Sequence, residues 1–230
     1  MTELSLFEAI HTARAMRRLK PDPVPEALIT RVLDAAIRAP SAGNAQSWFF
    51  LAVRDAALRT ELGRLYRKAS DIAAASYAAR GKPAHLTDAQ FARMLSAGKW
   101  LWEHMGEAPV LLLPCLRPPP PPPYDALPPA MQAHYQDELE YMRRIRGASI
   151  YPAMQNIVLA CRALGLGTVP TTNHLRCEAE VKALLGIPED VESCALMPVG
   201  WPEGSFGPVA RKPLAEVAFA DRWGEGWRGA

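Results

Sequence analysis

Ala39-Pro40-Ser41-Ala42-Gly43-Asn44-Ala45-Gln46-Ser47-Trp48-Phe49-Phe50 joins an amphipathic helical pattern to a short apolar run. Pro40 ends the helix, because its ring removes a donor and the residue before it is pushed out of the α region. Gly43 and Asn44 tolerate positive φ, so the backbone turns sharply there and exposes N–H groups. Residues 48–53 then read as a buried strand. The loop itself carries no charge, and Ser41, Asn44 and Gln46 supply short hydrogen-bonding side chains. Two readings stay open on these residues alone. One is a plain helix-to-strand connection. The other is a cradle for a flat polar heterocycle that needs donors, acceptors and close backbone approach.

Upstream, residues 25–39 read as a helix, with Leu28, Ile29, Val32, Leu33, Ala36 and Ile37 at helical spacing and Pro25 in the first turn. Residues 5–13 form a shorter one, opened by the capping-box pair Ser5 and Glu8. Between them lies Arg14-Ala15-Met16-Arg17-Arg18-Leu19-Lys20, the densest basic patch in the chain, followed by Pro21-Asp22-Pro23. In an extended segment Arg14 and Arg18 share one face and Arg17 takes the other. A turn would instead bring Arg14 and Arg17 together. On the patch alone, a solvated basic turn is the simpler reading, since most charges lie on the surface.

Downstream, helices are expected over residues 56–66, 87–104, 131–144, 149–164 and 178–185, with a weaker alanine-rich helical pattern over 68–83. Residues 110–115 form an aliphatic run without alternation, the mark of a central strand. Residues 193–199 and 214–219 read as further strands. The proline run 118–123 must be polyproline II, either a ligand for an SH3-type domain or a surface insertion. The 131–144 helix, rich in Tyr, Met and Arg, reads as a lid. The 149–164 helix is the most apolar and is expected to be buried, in part at a subunit interface. Trp223 and Trp227 sit among glycines near the C-terminus, which suggests an arm lying across a partner. The expected fold class is α+β: one domain over residues 1–230, with a variable insertion over about 68–146. It has a small central mixed sheet flanked by helices on both faces, and a domain-swapped C-terminal arm.

Composition removes several function classes. With 49% hydrophobic residues in 230, the chain has ample material for a core. A net charge of +2 leaves no general electrostatic footprint for nucleic acid. The N-terminus lacks the apolar segment of a secretory signal, and the aliphatic run at 110–113 is far too short to cross a membrane. Cys115, Cys161, Cys177 and Cys194 form no CxxC pair and read as reduced, mostly buried thiols of a cytoplasmic protein. His11, His85, His104, His134 and His174 show no HExxH spacing, so no metal is expected. Gly165-Leu166-Gly167 begins a dinucleotide fingerprint, but Pro170 stands where its third glycine belongs. No GxSxG and no P-loop occur.

Three separated stretches remain: the basic patch, the uncharged loop, and Pro170-Thr171-Thr172 with Arg211 downstream. A phosphate monoester carries roughly 1.5 to 2 negative charges at neutral pH and favours planar guanidinium partners. Flavin mononucleotide (FMN) needs such a clamp, a ribityl path, and amide-like partners along its pyrimidine edge.

With those residues in view, the sequence resembles the FMN-dependent nitroreductase superfamily, within it the branch that includes iodotyrosine deiodinases. The family's Arg-Ser-x-Arg with a Pro-rich turn corresponds to Arg14-Ala15-Met16-Arg17 and Pro21-Asp22-Pro23. Its Ala-Pro-Ser-x-x-Asn-x-Gln-Pro-Trp corresponds to Ala39 through Trp48, with Ser47 in place of proline. Its Gly-Leu-Gly-Thr corresponds to Gly165-Leu166-Gly167-Thr168. Its late Pro-Val-Gly-Tyr-Pro and Arg-Lys-Pro-Leu correspond to Pro198-Val199-Gly200-Trp201-Pro202 and Arg211-Lys212-Pro213-Leu214.

The resemblance implies FMN as cofactor, with contacts from Arg14, Ala15, Met16 and Arg17. Arg14 and Arg211 would clamp the phosphate, so Arg211→Ala is expected to weaken FMN binding. Arg17 would sit near N1 and C2=O. Ser41 and Asn44 would reach the phosphate-ribityl side and ring edge from a partner subunit. Pro170, Thr171 and Thr172 would lie along N5 and O4. Ala15 replaces the family's serine and removes one polar contact. The implied activity is ping-pong: NAD(P)H reduces the flavin, which then reduces a nitroaromatic, a quinone or a related electron-poor metabolite. The chemistry is flavin-centred and demands no protein acid or base, with Thr171 and Thr172 the candidates near N5. The implied assembly is a homodimer with FMN at the subunit interface. Tyr124, Tyr135, Tyr141 and Trp102 are the candidates for choosing the acceptor. A flavin-binding sensor without turnover and a reductive dehalogenase are the alternatives.

Overall fold

The computed structural model describes residues 4–227 and 229. Its helices are α1 (Leu6–Thr12), α2 (Glu26–Ala36), α3 (Ala56–Arg80), α4 (Asp88–His104), α5 (Pro129–Gln132), α6 (Tyr135–Ile145), α7 (Ile150–Ala163) and α8 (Glu178–Leu185). Its strands are β1 (Trp48–Val53), β2 (Val110–Leu116), β3 (Gly167–Thr168), β4 (Glu192–Ser193) and β5 (Met197–Gly200). β2 is buried along its whole length and is the centre of the sheet, as its unalternating aliphatic sequence requires. The order is β1-β2-β5-β3, with β4 also on β2.

Every pairing among the described residues is antiparallel, which narrows the expected mixed sheet. The reason lies in the connections. α3 runs out and α4 returns, so the chain comes back to the end where β1 finished and β2 enters in the opposite direction. Side chains of β2 then alternate between two cores. Leu111, Leu113 and Cys115 pack with Leu62, Leu65, Tyr66 and Leu101 from α3 and α4. Val110, Leu112 and Leu116 pack with Val32 of α2 and with Ile150, Ile157 and Cys161 of α7. Helices therefore cover both faces.

The strand expected over 193–199 is split. Cys194, Ala195 and Leu196 face only Leu113 and Pro114, so one residue is extra and the strand bulges. Pro114 accounts for it. Its carbonyl accepts from the Cys194 N–H at 2.8 Å, and the donor it lacks falls on this same side. Leu196 is turned away from β2 and exchanges backbone hydrogen bonds with Thr171 at 2.9 and 3.2 Å. The expected strand over 214–219 is instead a short 3-10 turn, Leu214–Glu216, entered from Pro213. α3 runs well past residue 66 to Arg80, because its alanine-rich second half keeps high helix propensity until Gly81 at φ +68°.

α3 and the turn Met105–Glu107 after α4 meet backbone to backbone. A Cβ on Gly63 would stand 2.8 Å from the Gly106 nitrogen. No side-chain rotation relieves that clash. Gly63→Ala is therefore expected to destabilise the fold by about 1–3 kcal/mol, outweighing alanine's better helix propensity. A chemical denaturation midpoint equal to or above that of the parent chain would contradict this close approach.

Candidate active site

Two glycines seat the basic segment. A Cβ on Gly167 would lie 2.8 Å from atoms of Met16 and Leu19, and one on Gly200 would press on Pro109 and Leu19. The bare backbone of β3 and β5 is thus a groove for Met16 and Leu19, both buried. Hydrogen bonds from Met16 N–H to Thr168 O (3.1 Å) and Lys20 N–H to Trp201 O (2.8 Å) lock the segment down. With Met16 and Leu19 inward, the arginines are turned outward. Arg14 and Arg17 do not line one cavity: Arg14 borders a crevice beside α7, and Arg17 borders a cavity beside α4. Arg18 diverges to stack over Trp100 at 5.2 Å.

Arg17 enters a cavity of about 240 Å³ together with Pro170, Thr171 and Thr172, so four of the residues named from the sequence do converge. Tyr66, Val169 and Asn173 complete the floor, and Tyr77 of α3 with Met94, Leu95, Gly98, Leu101 and Trp102 of α4 build the opposite wall. Burial pulls the Arg17 pKa below its ordinary value, against the nearby Tyr66 hydroxyl. Among the described residues no carboxylate forms an ion pair with Arg14, Arg17 or Arg18. A half-buried cation without a counterion is fitted for an external electron-rich group. Thr171 donates its hydroxyl to Leu196 O at 2.6 Å and its N–H to the same carbonyl. Pro170 has no N–H, so the donors left on this edge belong to the exposed Thr172.

Arg14 lies in a shallow crevice on the α7 side, beside Arg162, Thr168 and Phe206. Arg162 is held there by the Thr12 hydroxyl at 2.8 Å and by the Phe206 ring at 4.3 Å. The Thr168 hydroxyl is buried and has no hydrogen-bond partner. The crevice is too tight to admit a water molecule and the Thr168 hydroxyl is closed off from solvent, so a phosphate monoester would meet the guanidinium groups of Arg14 and Arg162 only at its mouth. Ala15 is exposed and Met16 is committed to the core. Arg211 lines neither cavity nor crevice: it is exposed and donates only to Ala210 O at 2.9 Å.

The uncharged loop stands elsewhere in the chain. Ser41 accepts from the Gln46 N–H at 3.1 Å, and Ala42 N–H donates to Ser149 at 3.2 Å. Gly43, Asn44 and Gln46 all take positive φ, a costly backbone for the two non-glycines. Ser41 lines a separate cavity of about 180 Å³ with Pro118, Pro119, Met142 and Ile145. Within one chain, then, Ser41 and Asn44 are not among the residues lining the Arg17 cavity. Nor do Tyr124, Tyr135 and Tyr141 line it: α6 borders the loop cavity, and the covering part is played by α3 and α4. Trp102 alone of the four acceptor candidates lies where expected. Tyr66, Tyr77, Gly98, Asn173 and Arg162 were missed. The alanine-rich pattern around Tyr77 and Gly98 gives no signal of a site, and Arg162 reads as one charge on a buried helix.

A buried polar set lies outside the cavity. Ser193 donates to Glu178 at 3.0 Å, so its oxygen accepts from His174 Nε2–H at 3.2 Å, which leaves His174 Nδ1 as an acceptor without a partner. No described cavity reaches it, and its part is structural.

The nitroreductase family profile matches residues 10–201, the span that holds the basic segment, the loop and Pro170-Thr171-Thr172 together. The chain belongs to the nitroreductase family. A relative from Thermus thermophilus, an NADH dehydrogenase, is 31% identical over 90% of this chain and 91% of its own. Iodotyrosine deiodinase 1 of Rattus norvegicus is 27% identical, over 94% of this chain and 70% of that protein. Among solved structures, oxidised iodotyrosine deiodinase bound to FMN and 3-iodo-L-tyrosine superposes with a TM-score of 0.65 at 23% identity, covering 95% of this chain and 99% of that one. The shared nitroreductase architecture confirms the helix-covered antiparallel sheet. No described helix is long and apolar enough to cross a membrane.

Proposed function

We propose that this chain is an FMN-dependent oxidoreductase that takes electrons from NAD(P)H and delivers them, in ping-pong order, to a nitroaromatic, a quinone or a related electron-poor acceptor. The observation that carries the reading is Arg17: a half-buried guanidinium with no carboxylate partner among the described residues, facing Pro170, Thr171 and Thr172 across one cavity. FMN, when bound, supplies the redox chemistry, so no protein acid or base is needed. Arg17 would hold the N1 and C2=O edge as a preorganised cation, where negative charge gathers. Thr172 would supply donors along N5 and O4, with Pro170 and Thr171 shaping that edge. Arg14 would take the phosphate, with Arg162 beside it and Arg211 closing from the C-terminal segment.

The 240 Å³ cavity is smaller than the roughly 300–1,000 Å³ usual for ligand sites. A second copy of the chain would complete it, its Ser41 and Asn44 supplied by the strained loop. Leu6, Phe7 and Ile10 of α1, Tyr151 of α7, and the tail residue Trp223, 91% exposed, leave apolar surface for such a homodimer, with the C-terminal arm crossing to the partner. Light scattering is expected to return a flavin-loaded dimer, and a flavin-loaded monomer would refute the shared site. Four free thiols, three of them buried, suit a reducing compartment, and we assign the protein to the cytoplasm.

The deciding experiment is an absorbance spectrum of the purified protein, FMN titration, then anaerobic addition of NADH or NADPH. Flavin bands that bleach and recover on adding an acceptor support the reading. Colourless protein that takes up no FMN overturns it. Bound FMN with no turnover would leave a sensor. The 27% identity to iodotyrosine deiodinase 1 supports a second reading, reductive dehalogenation, which iodide release from 3-iodo-L-tyrosine tests.

A further inference from the structure

Arg17 and Arg18 are neighbours in sequence and part company in the fold. Arg17 enters the cavity, whereas the Arg18 guanidinium lies over the Trp100 ring of α4 at 5.2 Å. The Trp100 ring is itself stacked on His104, with 4.1 Å between centroids and 2° between planes. His104 Nδ1–H donates to Trp100 O at 2.7 Å, one helical turn back, which fixes the pair. Three flat groups are thus held together, all from one chain, whatever a second copy adds at the cavity.

An arginine on an aromatic ring is a common surface contact, and by itself it assigns nothing. Two features set this one apart. Arg117 lies over Phe49 and Arg162 over Phe206, but each also has a polar partner: Asp190 at 2.7 Å for the first and the Thr12 hydroxyl at 2.8 Å for the second. Among the described residues Arg18 has the ring alone, with no ion pair and no side-chain hydrogen bond. Its N–H donors, on an exposed side chain, are left for a group outside the chain. The second feature is place. Arg17 and Leu101 border both the cavity and a narrow crevice that also touches Trp100 and His104, so the stack stands beside the cavity.

A preorganised guanidinium with unspent donors is fitted to phosphate oxygens, which its planar fork meets two at a time. The phosphate of FMN is already assigned to Arg14, on the α7 side. The electron donor of the reading above is a dinucleotide with phosphates of its own. Its nicotinamide must reach the cavity, and its diphosphate begins one ribose further out, beside the cavity and not in it. We propose that Arg18, held over Trp100, binds the diphosphate of the nicotinamide dinucleotide. The inference rests on the NAD(P)H reading and goes beyond it by assigning the residue that grips the donor.

The test measures calorimetric binding of NAD+, NADP+ and nicotinamide riboside to FMN-treated wild-type, Arg18→Gln and Arg18→Lys proteins. FMN content and thermal midpoint are recorded for each. All three ligands carry an oxidised nicotinamide and deliver no hydride, so binding is read without turnover. Arg18→Gln is expected to lose about fivefold in affinity for both NAD+ and NADP+, a loss that shrinks at high salt. Its affinity for nicotinamide riboside, its FMN content and its midpoint stay unchanged. Arg18→Lys recovers part of the loss, because the charge remains and the planar fork does not. Dinucleotide binding by Arg18→Gln within about twofold of wild type overturns the assignment. So does an equal loss for nicotinamide riboside, which has no phosphate. A loss confined to NADP+ places the contact at the 2′-phosphate and overturns the diphosphate. Wild-type protein that binds neither dinucleotide refutes the donor reading itself, and the assignment with it.

Discussion

Arg17→Met lowers FMN affinity by about 2–5 kcal/mol, roughly thirtyfold to several-thousandfold, on the scale of removing one partner from a desolvated charge contact. Methionine keeps the apolar stem, so the packing between Met16 and Leu19 is preserved and the loss reads on charge. The effect is large because the site is built around an uncompensated cation. Burial already drags the Arg17 pKa down, Arg14 adds to the strain, and no described carboxylate relieves it. Fluorescence titration of apoprotein with FMN measures the change directly. Because the cation favours the electron-rich reduced form, the same variant should also show a lower flavin reduction potential. Arg211→Ala is expected to cost less, since Arg211 is exposed and a solvated charge is screened. An Arg17→Met protein that binds FMN within threefold of the parent would remove Arg17 from the site.

Acid unfolding is expected to pass through His174. Its ring is fully buried, and burial pulls its pKa from 6.5 to about 4, with Glu178 opposing the shift. Above pH 6.5 both folded and unfolded chains carry a neutral ring, and the full contribution is present. As pH falls toward about 4, the unfolded chain takes up a proton that the folded chain refuses. Stability therefore drops across that window, by roughly 3 kcal/mol at most. The geometry supports the direction. The Ser193 hydroxyl is donated to Glu178, so His174 Nε2–H has one acceptor, and Nδ1 has nothing to give a second proton to. His174→Gln removes the titration. Urea midpoints measured from neutral pH down to about 4.5 should fall more steeply for the parent than for the variant by close to one proton. Parallel curves would exclude His174 as the acid-sensitive group.

Much of this architecture is legible without coordinates wherever the signal is local. The boundaries of β1 and α8, the Ser5 cap on α1 and the central position of β2 follow from spacing, caps and the lack of alternation. The split of β4 from β5 is not legible, because it depends on the missing donor of Pro114 falling opposite Cys194 across the sheet. The 214–219 run alternates like a strand yet, among the described residues, pairs only through the single bridge from Phe219 to Gly226, and its first half turns.

For the proposed site, the residue types limit which chemistry is possible. Arg14, Arg17 and the edge from Pro170 to Thr172 are charged, turn-forming or hydroxylated, which is compatible with a phosphate and a polar ring and equally with a solvated surface. Which of them meet is decided in three dimensions. Gly167 and Gly200 leave the groove that turns Arg17 toward Thr171, the bulge hands Leu196 to Thr171, and the out-and-back path of α3 and α4 brings Tyr77 and Gly98 over them. Residue types set which contacts are possible, but long-range packing, acting between segments up to about 150 positions apart such as Arg17 and Thr171, selects which of those contacts are made.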